Sequence, residues 1–302
     1  MSISGAFPVA SGWAVTWPPS RSCDRVVPVT DDPTRRPPFE AAALVAAFAE
    51  HPDLVVELLE QAPSTNALAA ARAREGAPDG LLVVADHQSA GRGRLDRTWQ
   101  TPPGAAVTFS LVLRPSVPPG QWPWLPLLVG HNVAKALLRL GYDAAVKWPN
   151  DVLVGGLKVA GILVERVETP QGPAAVVGVG INVATTAEEL PVETATSLAL
   201  ADCTRAAGAP GRTEVLVAVA TAIREAFDAW QAGGEEATAR LRTSYAAHCA
   251  TVGQDVRVEL PGGGVLVGTA VDVDPDGRLV VETSAGRERV GAGDVVHVRR
   301  HG

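Results

Sequence analysis

The chain has 302 residues, 46% of them hydrophobic, which is enough for one large domain and a smaller one around a sizeable buried core. Its formal net charge of −7 and the lack of any long basic run exclude the electrostatic footprint of a nucleic-acid binder. Cys23, Cys203 and Cys249 are scattered without C-x-x-C spacing, which argues against a disulfide framework or a structural zinc site and fits a reducing cytoplasm.

No basic residue precedes Arg21, so the charged start of a secretory signal is lacking, and no apolar run reaches the roughly 18 residues of a membrane span. A soluble, cytoplasmic protein is expected. Residues 1–38 hold seven prolines and no helical or alternating period, which predicts a disordered tail and offers no pair of helices to a helix-turn-helix DNA reader.

From Phe39 the pattern becomes globular. Phe39 to Glu50 reads as an alanine-rich helix and Asp53 to Glu60 as a strand. Ser64, Thr65 and Asn66 precede the helical stretch Ala67 to Arg74, and any of the three suits an N-cap. Leu81 to Ala85 and Ala105 to Leu113 read as strands on either side of a glycine- and arginine-rich loop, His87 to Gly104. Pro123 to Leu140 reads as a long helix, Ala144 to Lys147, Lys158 to Glu165 and Ala174 to Val183 as strands, and Thr213 to Trp230 and Glu235 to Ala247 as helices. The mixture predicts an α+β domain over 39–250 with a mixed or antiparallel sheet. After Thr251 short valine-rich runs, at Asp255 to Leu260, Val265 to Val273, Arg278 to Thr283 and Val295 to Val298, predict a small barrel of hairpins over 251–302 with a turn at Asp276-Gly277. About fifty residues is small for independent stability, so this part should pack on the main domain.

Three segments carry chemistry. Gly91-Arg92-Gly93-Arg94-Leu95-Asp96-Arg97-Thr98-Trp99 combines glycines that let backbone amides approach an anion, arginines with forked donors and an indole face for stacking. Taken alone an R-G-R cluster favours a solvated basic loop, and the segment is neither a G-x-G-x-x-G fingerprint nor a P-loop. The second segment runs from Lys147-Trp148-Pro149-Asn150-Asp151 through Gly155-Gly156 to Lys158 and Glu165. A turn at Asn150-Asp151 and a bend at Gly155-Gly156 would present Asp151 and Lys158 from opposite arms of one hairpin. Of 26 basic residues only Lys135, Lys147 and Lys158 are lysines, and two of them fall here, as though a compact amine were needed where a planar fork would not fit. The third segment, Gly178-Val179-Gly180-Ile181-Asn182, ends a strand with small residues beside an amide.

In this order the segments read G-R-G-R-x-x-R-x-W, K-W-P-N-D, K-x-A-G-I-L-x-E and G-x-G-I-N, and the combination resembles the biotin-protein ligases from about Leu54 to the end of the small domain. The resemblance implies a catalytic domain built like the class II aminoacyl-tRNA synthetase core followed by an SH3-like barrel, and a monofunctional enzyme, since the winged DNA-binding domain of the repressor versions has no counterpart. It implies an ATP-dependent ligase that makes biotinyl-5'-AMP and transfers biotin to one lysine of a biotin carboxyl carrier domain. ATP and biotin would be substrates, magnesium would screen the phosphates, and no cofactor would stay permanently bound. No nucleic acid or membrane is expected as partner, and the assembly would be a monomer or weak homodimer. By position, the resemblance places biotin on Ser64, Thr65, Gln88, Gly91, Arg92 and Lys158, and the nucleotide on Arg94, Arg97, Trp99, Asn150 and Asn182. It places the catalytic roles on Lys158, Arg94 and Asp151, and leaves the metal ligands unassigned. The nearest rival is a lipoate or octanoate ligase, whose longer apolar slot would need no partners for a ureido ring. A non-enzymatic holder of biotin or of an adenylate is the alternative of another class.

Overall fold

The computed structural model describes residues 36–298 apart from Asp96 and Ala207, so the proline-rich segment 1–35 lies outside the described residues. Arg36, which the sequence reading assigns to the tail, donates from Nε to Ala184 O at 3.1 Å and pairs with Glu189, and Phe39 is buried. Helix α1 (Ala41–Ala47) leads into β1 (Val55–Ala62), α2 (Thr65–Arg74) and β2 (Leu81–Gln88). Two short strands, β3 (Gly91–Arg92) and β4 (Thr98–Trp99), pair as a hairpin within the stretch expected to be loop. They are followed by β5 (Ala106–Leu113), α3 (Leu125–Arg139), β6 (Ala144–Lys147), β7 (Asp151–Val154), β8 (Leu157–Val167), β9 (Ala174–Asn182) and α4 (Arg212–Ala247). The remaining strands are β10 (Asp255–Glu259), β11 (Val265–Val273), β12 (Leu279–Thr283), β13 (Gly286–Val290) and β14 (Asp294–His297).

Seven strands form one mixed sheet in the order β1-β2-β5-β9-β8-β7-β6, parallel only between β1 and β2. The central strands β5 and β9 are buried at every position because α2 packs on one face and α3 with α4 on the other, so their sequences lose the period-two alternation of a half-exposed strand. Ser64 is the N-cap of α2, accepting from Ala67 N at 3.4 Å, while Thr65 and Asn66 open the helix and point into the fold. The alanines of α2 favour helix and are small enough to lie close on the sheet. Pro119–Trp124 forms a 3-10 turn and α3 begins only at Leu125, with Pro126 in its first turn where a missing N–H costs nothing. Helix α4 is broken at Gly234, whose φ of 54° suits glycine, at the junction that the sequence predicts between two helices.

The last five strands form an antiparallel sheet in the order β13-β12-β11-β10-β14. Asp276-Gly277 makes its turn, with Gly277 N donating to Asp274 O at 3.0 Å. Strand β13 is absent from the sequence reading because four of its five residues are exposed and only Val290 is buried, leaving no apolar signal. The apolar core runs without a break from the main sheet into this one, and main-domain side chains donate directly to it: Trp148 Nε1 to Gly277 O at 3.0 Å, Trp124 Nε1 to Pro275 O at 2.8 Å and Arg242 Nε to Val273 O at 2.6 Å. Among the described residues no helix is long and apolar enough to cross a membrane, and Cys203 and Cys249 are unpaired.

One buried group sets an acid limit. His131 of α3 is 2% exposed, with Nε2 2.9 Å from Ser244 Oγ, and burial, with Lys135 and His248 adding to it, pulls its pKa down to about 4. The unfolded chain therefore binds a proton below pH 6.5 that the folded chain refuses, so the contribution is intact above that pH and lost as pH falls toward 4. At about 1.4 kcal/mol per pH unit, roughly 3 kcal/mol disappears over that window. Urea denaturation of wild type and His131→Gln at pH 7 and pH 4.5 should show the variant losing about 2–3 kcal/mol less than wild type over the same interval.

Candidate active site

Strands β8 and β9 bring Gly161 opposite Gly180 and Leu163 opposite Gly178, which bares a strip of sheet beneath the N-terminus of α2. Two side chains fill the space those glycines leave. A Cβ on Gly180 would lie 2.5 Å from Trp99 Cε2, and one on Gly161 would lie 3.2 Å from Trp99 Cζ3, so the indole rests directly on backbone. A Cβ on Gly178 would lie 2.1 Å from Asn66 Oδ1. The Trp99 Nε1 is buried and has no hydrogen-bond partner among the described residues, although it borders an open cavity.

The hairpin β7–β8 supplies the charges. Its register shifts between Val152 and Leu153, so that Lys158 lies opposite Leu153 while Ala160 lies opposite Val152. This bulge resets the alternation, and Lys158 shares a face with Gly161, three residues away, where strict period-two counting puts it on the reverse side. Lys158 Nζ pairs with Asp151 Oδ1 at 2.6 Å at the edge of the cavity. Asn150 is clamped to β8 by its backbone oxygen, which accepts from Ile162 N at 2.9 Å, and by Nδ2, which donates to Ile162 O at 2.9 Å. Its remaining oxygen accepts from Arg94 Nη1 at 2.9 Å. Burial pulls the Arg94 guanidinium below its usual range, partly offset by Asp151 and Asp294, as expected of a cation poised for an anion.

Every arginine of the glycine-rich hairpin is tied down, each to a different part of the fold: Arg92 to Glu165 at 2.8 Å, Arg94 to Asn150, and Arg97 to Asp294 of the small sheet. Burial pushes the Asp294 carboxyl up, but the Arg97 contact and the more distant Lys147 and Lys158 bring it below the usual range overall. Between Gly93 and Arg97 the chain turns tightly, with Gly93 N donating to Arg97 O at 2.6 Å and Leu95 at a φ of 54°.

Ser64, Thr65, Gln88, Arg92, Arg94, Arg97, Trp99, Asn150, Asp151 and Lys158 all line this one cavity, although they come from segments up to about a hundred residues apart. Two other expected site residues do not. Gly91 is buried behind it, where a Cβ would lie 2.3 Å from Trp99 O, and Asn182 is buried with its Nδ2 donating to Thr196 O at 3.0 Å. The cavity also takes in Asn66, Gly161, Gly178, Gly180 and Asp294. Asp294 lies in the small domain, where nothing in the sequence pattern distinguishes it from a surface carboxylate. Beneath the cavity lies Ser110, hidden in an apolar strand.

Residues 58–182 match the Biotin/lipoate A/B protein ligase family, and residues 251–298 match the Biotin protein ligase C terminal domain. The chain is 36% identical over 281 residues to the biotin–[acetyl-CoA-carboxylase] ligase of Mycobacterium tuberculosis, an alignment covering 90% of this chain and 100% of the relative. The chain belongs to the biotin protein ligase family. A bifunctional ligase/repressor of Bacillus subtilis is 34% identical over 77% of this chain and 70% of its own length. Among solved structures, the biotin protein ligase of Aquifex aeolicus in complex with biotin and ATP superposes with a TM-score of 0.67 at 27% identity, covering 81% of this chain and 98% of that one. In this biotin protein ligase family member the cavity joins a polar end at Ser64, Thr65 and Gln88, the Trp99 indole seated on the glycine strip, and a cationic end at Lys158 and Arg94.

Proposed function

We propose that the protein is a biotin protein ligase in activity as well as in family, forming biotinyl-5'-AMP from biotin and ATP and passing the biotinyl group to one lysine of a carrier domain. The observation that carries this reading is the cationic end of the cavity, where Lys158 and the half-buried Arg94 stand beside the Trp99 indole seated on Gly161 and Gly180. In the first step a biotin carboxylate oxygen bonds to the α-phosphorus, the bond from that phosphorus to the bridging oxygen breaks, and pyrophosphate leaves. Both reactants are anions, so fixed positive charge aimed at the reacting oxygens is the main requirement. Lys158 supplies it once the substrates draw its amine from Asp151, and Arg94 supplies it from above, already oriented by Asn150. In the second step the carrier amine attacks the acyl carbon, the acyl–oxygen bond breaks, AMP departs with the electron pair, and Asp151 takes the proton that the amine loses.

The buried hydroxyls of Ser64 and Thr65 and the Gln88 amide suit a ureido ring, which needs paired donors and acceptors, better than a lipoyl or octanoyl tail, which needs none. The backbone around Arg92 would complete that end, with Gly91 behind it. Trp99 and Asn150 would hold the adenine end with Arg97, and Asn182 would join them if its bond to Thr196 opens. Among the described residues no three acidic, histidine or cysteine side chains converge on a metal site, and the carboxylates at the cavity, Asp151 and Asp294, are both paired. That donor set fits a magnesium ion carried mainly by the triphosphate, which would screen the departing pyrophosphate. We read the main sheet as a class II synthetase-type core over 39–250 and the last five strands as an SH3-like barrel over 251–302, acting in a reducing cytoplasm. Mass spectrometry of a carrier domain incubated with enzyme, ATP, magnesium and biotin should show a single biotinyl addition, absent when lipoate replaces biotin. No addition above the enzyme-free control would reject the reading.

A further inference from the structure

A chain of hydrogen bonds runs under the cavity, and its polarity is fixed from its buried end, at Asn66 and Ser110. It starts at Asn66, whose Nδ2 donates to Glu165 Oε2 at 2.8 Å and to Leu163 O at 3.3 Å. Both partners are acceptors only, so the Asn66 amide has one orientation and its Oδ1 must face Ser110, 2.6 Å away. An amide oxygen only accepts, so the single Ser110 proton goes to Asn66. Ser110 Oγ is left as an acceptor, and its other neighbour is Thr65 Oγ1 at 2.8 Å. Thr65 N donates to Gln88 Oε1 at 2.7 Å, which fixes the Gln88 amide as well and makes that oxygen, 3.1 Å from Thr65 Oγ1, a second and longer acceptor for the Thr65 proton. Both acceptors belong to the protein, and the nearer one is Ser110. The Thr65 hydroxyl therefore keeps its proton turned inward and shows the cavity a lone pair.

The rest of the architecture protects this arrangement. Ser110 is fully buried, level with Gly178 across the sheet, and the bare backbone at Gly178 is what lets Asn66 reach it. The far end of the chain returns to the site, because Glu165 Oε2 also accepts from Arg92 Nη2 at 2.8 Å, four residues beyond Gln88. We infer that Ser110 is a specificity-determining positioning residue: by holding the Thr65 proton away from the cavity, it makes the bed accept a ligand N–H and refuse a ligand oxygen at that point. The inference rests on the biotin reading above and goes beyond it, since Ser110 touches no substrate.

The test is equilibrium binding, without ATP, of biotin and of the two cyclic carbamate analogues in which one or the other ureido N–H is replaced by a ring oxygen. Wild type should reject one isomer, the one that sets oxygen against Thr65, by about 100-fold or more relative to biotin. In Ser110→Ala the Thr65 proton keeps only its longer acceptor, Gln88 Oε1 at 3.1 Å, so the hydroxyl can turn outward and donate to a ligand oxygen and this ratio should fall by about tenfold, while KM for ATP stays within about twofold. A role in packing alone would weaken biotin and both analogues together and leave the ratio unchanged, which would overturn the inference, as would a wild type that fails to discriminate between the isomers. Should the alanine variant not fold, Ser110→Cys, with its weaker acceptor, should give a ratio between the two, and an unchanged ratio there is equally fatal. A wild type that binds no biotin would instead reject the ligase reading.

Discussion

Replacing Lys158 with alanine is expected to reduce pyrophosphate release dependent on biotin and ATP by about a thousandfold, with the circular dichroism spectrum unchanged. Loss of one preorganised donor at a charged transition state ordinarily costs about 10²–10³. Here the loss is compounded, because Asp151 is left without its 2.6 Å partner and sets an unpaired carboxylate against two anionic substrates. The pair can be separated experimentally: adding Asp151→Asn to Lys158→Ala should recover about tenfold of pyrophosphate release while still impairing transfer to the carrier lysine. Arginine should not replace Lys158, since a planar fork spreads its charge where the amine sets one compact charge beside Gly161, 3.6 Å from where a Cβ there would sit. A Lys158→Ala enzyme that forms biotinyl-AMP at the wild-type rate would remove Lys158 from the mechanism.

The second large effect should come from one methyl group. Gly180→Ala sets a Cβ 2.5 Å from Trp99 Cε2, closer than atoms can stand, and the indole is rigid. The ring must leave the strip, and the hairpin that carries it must move too, although Arg92, Arg94 and Arg97 hold that hairpin at other points. The same hairpin carries Arg92 of the biotin end, so biotin affinity is expected to fall by about 100-fold or more, and Trp99 should become accessible to an aqueous fluorescence quencher. Gly161→Ala, whose added Cβ lies 3.2 Å from the same ring, asks for a shift of only a few tenths of an ångström and should cost less than about tenfold. Equal effects at the two positions, or none at Gly180, would mean that the indole is not seated on the strip when biotin binds.

Much of this site is legible in the sequence because its charged parts are local. The Asp151–Lys158 pair follows from a turn at one end of a hairpin and a glycine bend at the other, and the structure places the two in contact. What period-two counting misses there is the bulge that turns Lys158 onto the Gly161 face, since a shifted register leaves no mark on composition. The glycines of the third segment are visible, but their purpose is not, because each makes room for a side chain remote in sequence, Trp99 for Gly180 and Asn66 for Gly178. Ser110 and Asp294 are illegible for opposite reasons. One is a small polar residue inside a run that reads as apolar strand, the other a surface carboxylate whose partner lies 197 positions earlier. Strand β13 escapes for want of buried residues, and the start of α3 is misread because the apolar pattern continues through a turn that Pro123 forces out of α-helix.

Because Trp148 donates to Gly277 and its backbone N–H to Thr251 Oγ1 at 3.1 Å, the segment that bears Asn150 and Asp151 is gripped from behind by the region leading into and forming the last five strands. Those strands therefore serve as a buttress rather than an accessory module. Cutting the chain near residue 250 would open a hydrophobic wound and slacken the reaction centre in the same stroke, and exchanging this portion for that of a distant relative should succeed only if the mating surface travels with it.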